Sequence, residues 1–310
     1  MSAESSAHRS GFACLVGRPN TGKSTLTNAL TGVKVAITSD RPQTTRHTVR
    51  GIVSRPDAQL VLVDTPGFHR PRTLLGERLN DLVRATIAEV DVLGICFPAD
   101  EKIGPGDRFI VGEMARAARR APVVAIVTKT DRAGREQVAA QLMAVSQLGT
   151  QTGVEFAEIV PVSAVADEQI DLLTDLLMAR LPEGPVLYPD GELTDSPEEV
   201  MVAELIREAA LEGVRDELPH SLAVVVEEMI PRPDRPEHSP LLDVRAEVYV
   251  ERDSQKGIVI GKGGARLRDV GTRARQQIEA LLGTPVYLDL HVRVAKDWQR
   301  DPKQLRKLGF

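Results

Sequence analysis

A glycine-rich turn of the form G-x-x-x-x-G-K-S, set between an apolar run and a helix-like stretch, constrains this chain more than any other feature. Gly17, Arg18, Pro19, Asn20, Thr21, Gly22, Lys23 and Ser24 make the turn; Phe12 to Val16 precede it and Thr25 to Leu30 follow. Strand, loop and helix in that order are the context in which the motif has physical meaning. Backbone N–H groups turned inward at a helix N-terminus form a cradle for polyphosphate. Lys23 can then reach the β/γ-phosphates, and the Ser24 hydroxyl can ligate Mg2+.

From residue 12 to residue 181 short apolar strands alternate with amphipathic helices. The strand candidates are Phe12–Val16, Val49–Ser54, Leu60–Asp64, Val92–Phe97, Val123–Thr128 and Phe156–Pro161; helical stretches cover Thr73–Val90, Gly106–Ala118, Arg135–Leu148 and Gln169–Leu181. This alternation predicts an α/β domain over 1–184: a mostly parallel six-stranded sheet with helices on both faces. The second and third strands are so close in sequence that they read as an antiparallel hairpin. Ligands of such sheets sit at the carboxyl ends of the strands. Residues 185–197, rich in Pro, Gly and Asp, read as a linker. Ser196, Pro197 and Glu199 then read as a capping box that starts an α+β domain over 198–310.

Composition narrows the alternatives. The chain of 310 residues is 42% apolar and 27% charged, ordinary for a soluble globular protein. No run approaches ~18 uncharged apolar residues, so no membrane-spanning helix is expected, and residues 1–10 lack the apolar core of an export signal. A cytoplasmic protein is the simplest expectation. The two cysteines, Cys14 and Cys96, lie in strand-like runs and read as small buried thiols. The six histidines are dispersed, without zinc spacing. The net charge of −5 is unevenly spread: residues 245–310 hold 14 Lys/Arg against 8 Asp/Glu, which suggests a basic module for an anionic partner.

Further short motifs follow the first in a fixed order. Asp64-Thr65-Pro66-Gly67 closes the third strand, where a carboxylate can hold the Mg2+ shell through water and the Gly67 amide can sense a γ-phosphate. Pro42-Gln43-Thr44-Thr45-Arg46 lies between, in a polar loop whose threonine can reach Mg2+ only when γ-phosphate draws the loop inward. Thr128-Lys129-Thr130-Asp131 ends the fifth strand. A buried aspartate at 131 would accept from guanine N1–H and N2–H2, groups that adenine does not present. The aliphatic stem of Lys129 can lie along the base. Ser163-Ala164, after the sixth strand, can offer a backbone N–H to guanine O6. The order and spacing of these motifs carry the inference more than any one of them.

The ordered set resembles the translation-factor-related GTPases, and most closely the Era family. The resemblance implies that the switch threonine is Thr45, with Thr44 its near rival, and that Lys23, Thr45 and Gly67 serve hydrolysis. Gly17 to Thr25, Asp64 to Phe68, Thr128, Lys129, Asp131, Ser163 and Ala164 would surround the nucleotide; Ser24, Thr45 and, through water, Asp64 would hold Mg2+. Phe68 occupies the position where Ras-like GTPases carry the glutamine that orients water. A phenyl ring cannot hydrogen-bond, so slow unaided hydrolysis is expected. Thr128 departs from the usual Asn, and its smaller bonding capacity suggests weakened guanine affinity.

Downstream, Ile258-Val259-Ile260-Gly261-Lys262-Gly263-Gly264 before a helix fits the G-x-x-G turn of a KH domain, whose glycines admit a nucleic-acid backbone closely. In that helix Leu267, Val270, Ala274, Ile278 and Leu281 form an apolar stripe, with Arg266, Arg268, Arg273 and Arg275 off it. The strands Leu222–Ile230, Leu242–Arg252 and Val286–Val294 complete the helix–strand–strand–helix–helix–strand order of a type II KH domain. Lys256, Ile260, Gly261, Lys262, Gly263, Gly264, Arg266 and Arg268 are the RNA-contact candidates. The Era resemblance, which spans nearly the whole chain, implies binding near the 3′ end of small-subunit ribosomal RNA and a role in small-subunit (30S) biogenesis, by a monomer. His291 stands where that family tends to carry Trp. Two other readings remain open: a membrane- or protein-associated signalling GTPase, peripheral at the inner face of the membrane, and an RNA chaperone that holds nucleotide with negligible hydrolysis.

Overall fold

The computed structural model describes residues 8–39, 44–68, 71, 73–117, 121–214, 218–233, 235–236 and 239–310. Pro42, Gln43 and the first seven residues lie outside them. Two compact units emerge: Met1–Ala36, Thr45–Pro71 and Arg78–Asp195 form the first, and Ile37–Thr44, Arg72–Glu77 and Ser196–Phe310 the second.

In the first unit, strands β1 (Arg9–Val16), β2 (Val49–Arg55), β3 (Ala58–Asp64), β4 (Val92–Pro98), β5 (Val123–Thr128) and β6 (Phe156–Pro161) form one sheet in the order β2-β3-β1-β4-β5-β6. Only the β2–β3 hairpin is antiparallel. Alternate side chains leave opposite faces of a strand, and the core shows it residue by residue. Ala13 and Leu15 pack with Leu26 and Leu30 of α1 (Lys23–Thr31) and Leu173 and Leu177 of α5 (Ile170–Met178). Their neighbours Cys14 and Val16 pack on the other face. There they meet Val83 and Ile87 of α2 (Leu74–Glu89), Ile110 and Met114 of α3 (Pro105–Ala117), and Val145 and Leu148 of α4 (Arg135–Thr152). Both thiols are fully buried, and burial pushes each up to about 12, which leaves them unreactive at neutral pH.

The stretch read as a linker is part of this unit. Ser10 N–H donates to the Pro182 carbonyl, Ile52 N–H to the Leu193 carbonyl, and Gly51 bridges to Thr194. Buried Gln59 accepts from the N–H groups of Leu187 and Tyr188 and donates to the Tyr188 carbonyl. The first unit therefore runs to Asp195 rather than 184. Its last residues carry no apolar periodicity because backbone bonds to the edge strand hold them.

The second unit packs α6 (Glu198–Leu211) and α9 (Ala265–Leu282) on a three-stranded sheet of β7 (Ala223–Pro231), β8 (Leu242–Val250) and β9 (Val286–Val294). β7 and β8 are antiparallel, β8 and β9 parallel. The short helix α7 (Leu218–Ser221) precedes β7, and α8 (Asp253–Ile260) precedes the glycine turn. Val202, Ile206, Val244, Ala246, Val248, Val270, Ala274 and Ile278 form the core. Leu281 is exposed, and Leu282 takes its place against the core, since the 3.6-residue period falls between them. Pro197 is the N-cap of α6 rather than its first helical residue: its extended ψ of 140° delays the helix by one position, and it makes no side-chain cap. Beyond β9, α10 (Pro302–Lys307) is capped by Asp301, and the fully buried Trp298 donates its indole N–H to the Ser221 carbonyl and stacks on Phe310.

Candidate functional site

Four motifs of the first unit fall at the carboxyl ends of strands, while Thr45 comes from the loop between α1 and β2. The turn from Gly17 follows β1, Thr65–Phe68 follow β3, Lys129–Asp131 follow β5, and Ser163–Ala164 lie just beyond β6. Helix α1 begins at Lys23 behind Gly22, which is in the left-handed region (φ 89°), and its first turn has no acidic residue. The positive end of the helix is thus left bare for an anion. Lys23 is buried and closes over its own loop, donating to the carbonyls of Arg18 at 2.8 Å and Gly17 at 3.3 Å. Burial pulls its pKa down, so an incoming anion would favour the charged ammonium.

Three hard oxygen donors converge in front of the loop. Ser24 Oγ lies 2.8 Å from Asp64 Oδ2 and 3.0 Å from Thr45 Oγ1, and Thr45 Oγ1 donates to Asp64 Oδ2 at 3.1 Å. The second carboxylate oxygen of Asp64 is buried with no hydrogen-bond partner, and burial raises the Asp64 pKa. A buried carboxylate oxygen without a partner beside two hydroxyls suits Mg2+, which takes oxygen ligands. Thr45 is buried at this point, whereas the Thr44 hydroxyl turns to the Ser39 carbonyl. Among the described residues no cluster of three His, Cys, Asp or Glu side chains offers a competing metal site.

Gly67 approaches Pro19 so closely that a Cβ there would meet the Pro19 backbone at 3.1 Å. The next residue, Phe68, turns inward: it is buried, stacks on Phe109 with centroids 5.9 Å apart, and lies under the Arg84 guanidinium at 5.2 Å. Its ring is thus engaged by apolar and cationic partners.

At the base end, the buried Thr128 hydroxyl donates to the Thr21 carbonyl at 2.7 Å and ties this loop to the phosphate loop. Asp131 is exposed rather than buried, because it sits in a single 3-10 turn, Thr130–Arg132, none of whose residues is buried; Ser163 Oγ donates to its Oδ1 at 2.6 Å. The Ser163 N–H is already committed to the Glu168 carbonyl. Glu101 and Asp107, which bind the Arg18 guanidinium, escape a reading of the sequence. Both sit in a polar stretch with no motif to mark them.

In the second unit Gly261, Gly263 and Gly264 all take positive φ (70°, 59° and 76°). A Cβ at Gly261 would strike Arg266, at 2.7 Å from its Cβ and 3.1 Å from its backbone N, while Gly263 faces open space. Lys262 and Arg268 are exposed at the turn, and Lys256 and Ile260 are partly exposed beside it. Arg266 is placed otherwise. Its guanidinium donates to the carbonyls of Ala210 and Glu212 at the end of α6, so it braces the fold. Arg273 likewise pairs with Glu212 and Asp269. Ile258 is exposed one turn ahead of the glycines. His291 is half-exposed on β9 and pairs with Asp289.

Comparison with known proteins agrees with this geometry. The 50S ribosome-binding GTPase family matches residues 12–129, and the KH domain family matches residues 217–299. GTPase Era of Streptomyces coelicolor is 73% identical over 303 residues, covering 98% of this chain and 95% of that protein. The Mycolicibacterium smegmatis protein of the same name is 70% identical, covering 97% and 99%. A crystal structure of Era with MgGDPNP and nucleotides 1506–1542 of 16S ribosomal RNA superposes with a TM-score of 0.91 at 36% identity, covering 97% of this chain and 99% of that one. An Aquifex aeolicus Era variant bound to GDP and AlF4− gives 0.89 at 36%, with the same coverage. Phosphate loop, switch residues, base loop and KH turn thus stand together on a chain of matching length and fold, and the chain belongs to the Era family of GTPases.

Proposed function

We propose that this chain is a GTP-hydrolysing switch that binds the 3′ end of small-subunit ribosomal RNA through its KH domain and acts, as a cytoplasmic monomer, in 30S biogenesis. The convergence of Ser24, Thr45 and Asp64 in front of the Lys23 loop carries the nucleotide half of the reading. The Era complex with MgGDPNP and 16S ribosomal RNA supports the RNA half.

In this reading the loop amides from Asn20 to Thr25 hold the phosphates, and Lys23 leaves its two carbonyl partners to bridge the β- and γ-oxygens. Ser24 and Thr45 would ligate Mg2+ directly and Asp64 through water; the ion would neutralise charge that develops on the phosphate oxygens. The Gly67 amide senses the γ-phosphate. Asp131 takes guanine N1–H and N2–H2, the Lys129 stem flanks the base, and the Ala164 N–H meets O6, since that of Ser163 is already used. With Phe68 packed on Phe109, no side chain at that position orients water, so unaided hydrolysis is slow. Lys262, Arg268, Lys256 and Ile260 contact RNA around the glycine turn.

Thr128 serves better than its size suggests, through its bond to Thr21. Thr128→Val leaves the Thr21 carbonyl without that donor, at a cost of about 1–3 kcal/mol. Displacement of fluorescent GDP should show affinity reduced about tenfold, and Thr128→Asn should restore most of it. Unchanged affinity in the valine variant would show the bond to be incidental.

Coupling between the two halves is tested by measuring affinity for an RNA with the 3′ end of 16S ribosomal RNA in three states: with GTP analogue, with GDP and without nucleotide. Single-turnover GTP cleavage with and without small ribosomal subunits completes the test. We expect the GTP-analogue state to differ from the GDP state by about tenfold or more and subunits to accelerate cleavage. Identical affinities in all three states would refute the switch.

A further inference from the structure

One charged cluster beside the nucleotide site joins two motif residues, Arg18 and Lys129, to two carboxylates outside every motif, Glu101 and Asp107. The Arg18 side chain leaves the phosphate loop and turns to the segment after β4 and the first turn of α3. Its Nε donates to Asp107 Oδ1 at 2.7 Å, and its Nη2 donates to Glu101 Oε2 at 2.9 Å. The other oxygen of Glu101 lies 4.0 Å from Lys129 Nζ in the base loop. Asp107 is almost wholly buried, and its second oxygen accepts from the Gly104 N–H. Gln141 of α4 donates to the carbonyls of Pro98 and Glu101, at 2.9 Å each, and fixes the backbone beneath the carboxylate. The Arg18 stem lies over Gly106, where a Cβ would meet it at 3.1 Å.

Two details show that this cluster reaches the nucleotide machinery. The Arg18 carbonyl is the acceptor for both Lys23 Nζ and Thr21 Oγ1, so whatever holds the Arg18 side chain also fixes that carbonyl. Lys129 is in the left-handed region (φ 58°), a strained state for a non-glycine residue that persists only where its surroundings enforce it. Glu101 thus stands between the phosphate loop and the base loop and is paired with both.

We infer that Glu101 and Asp107 are positioning residues that lock the phosphate loop and the base loop in one relative placement, through Arg18 and Lys129, and thereby set how long a guanine nucleotide stays bound. The inference rests on the nucleotide reading above. Neither carboxylate touches nucleotide; each acts through the cation that it holds. A ligand that bridges both loops leaves when either loop swings away, so loosening the lock speeds dissociation more than association. Asp107 is buried and carries the larger share; Glu101 is partly exposed, and solvent screens its contribution.

The test uses the full-length chain loaded with Mg2+ and a fluorescent GDP, with dissociation followed after a chase of unlabelled GDP. Glu101→Gln should speed release about threefold and Asp107→Asn about tenfold, with association within twofold of wild type and the Glu101→Gln melting temperature unchanged. In a Lys129→Met background, Glu101→Gln should lose part of its effect, because one arm of the lock is already gone. Wild-type release rates in both variants would overturn the inference, as would an undiminished Glu101→Gln effect in the Lys129→Met background. If the wild-type chain holds no fluorescent GDP, the nucleotide reading itself falls, which is a separate outcome.

Discussion

Asp131→Asn will cut the affinity for GDP by a hundredfold or more and create binding of xanthosine diphosphate where there was almost none. Guanine presents two donors, N1–H and N2–H2, to the carboxylate. Charge-assisted bonds of this kind are worth about 1.5–3 kcal/mol each, so losing both means roughly a hundred- to a ten-thousandfold. An asparagine amide would also set its own N–H against a guanine donor. Xanthine carries a carbonyl at C2, which accepts from that amide while N1–H still meets its oxygen. The substitution keeps the local scaffold, because Ser163 Oγ donates to Oδ1 and an amide oxygen can still accept that bond, though more weakly than a carboxylate. Isothermal titration with guanosine, xanthosine and adenosine diphosphates measures the change. Retention of wild-type GDP affinity would remove Asp131 from the base site.

Gly263→Asp should abolish most RNA binding without disturbing either nucleotide affinity or the fold. Gly263 has φ 59°, and a Cβ added there would meet nothing within 4 Å; aspartate tolerates the left-handed region better than most residues. The added carboxylate would stand where a phosphate backbone approaches the turn, beside exposed Lys262 and Arg268. We expect at least a tenfold loss of affinity by fluorescence anisotropy at low salt, with a shallower dependence on salt as phosphate contacts are lost. Gly261→Ala makes an instructive contrast. Its Cβ would collide with Arg266, so it should lower the melting temperature as well, which Gly263→Asp should not.

Local pattern makes most of the framework legible. Apolar runs mark all six strands of the first unit, the β2–β3 hairpin follows from a short polar connection, and β9 spans the Val286–Val294 expected of the last strand. What escapes depends on contacts between residues far apart in sequence. The Thr128–Thr21 bond joins positions 107 residues apart, so Thr128 looks like a loss when only its own side chain is weighed. Arg266 looks like a phosphate ligand because helical spacing keeps it off the apolar stripe, but spacing does not show that the end of α6 offers it two carbonyls. The choice between Thr44 and Thr45 needs the fold, since adjacent residues share composition and differ only in direction. The chemistry of a bound base predicts a buried Asp131, whereas the protein by itself leaves it exposed. The segment after residue 295 carries no motif, yet Trp298 anchors it completely.

The stretch from residue 182 to Asp195 acts as a selvage on the first sheet. β2 would otherwise offer a row of open amides and carbonyls to any passing strand, a known route to aggregation. Leu193 and Thr194 occupy part of that row, and Gln59 stitches Leu187 and Tyr188 in place. A nucleotide unit excised for separate study therefore has its natural hem at Asp195, and trimming it at 184 would unravel the border that keeps the sheet to itself.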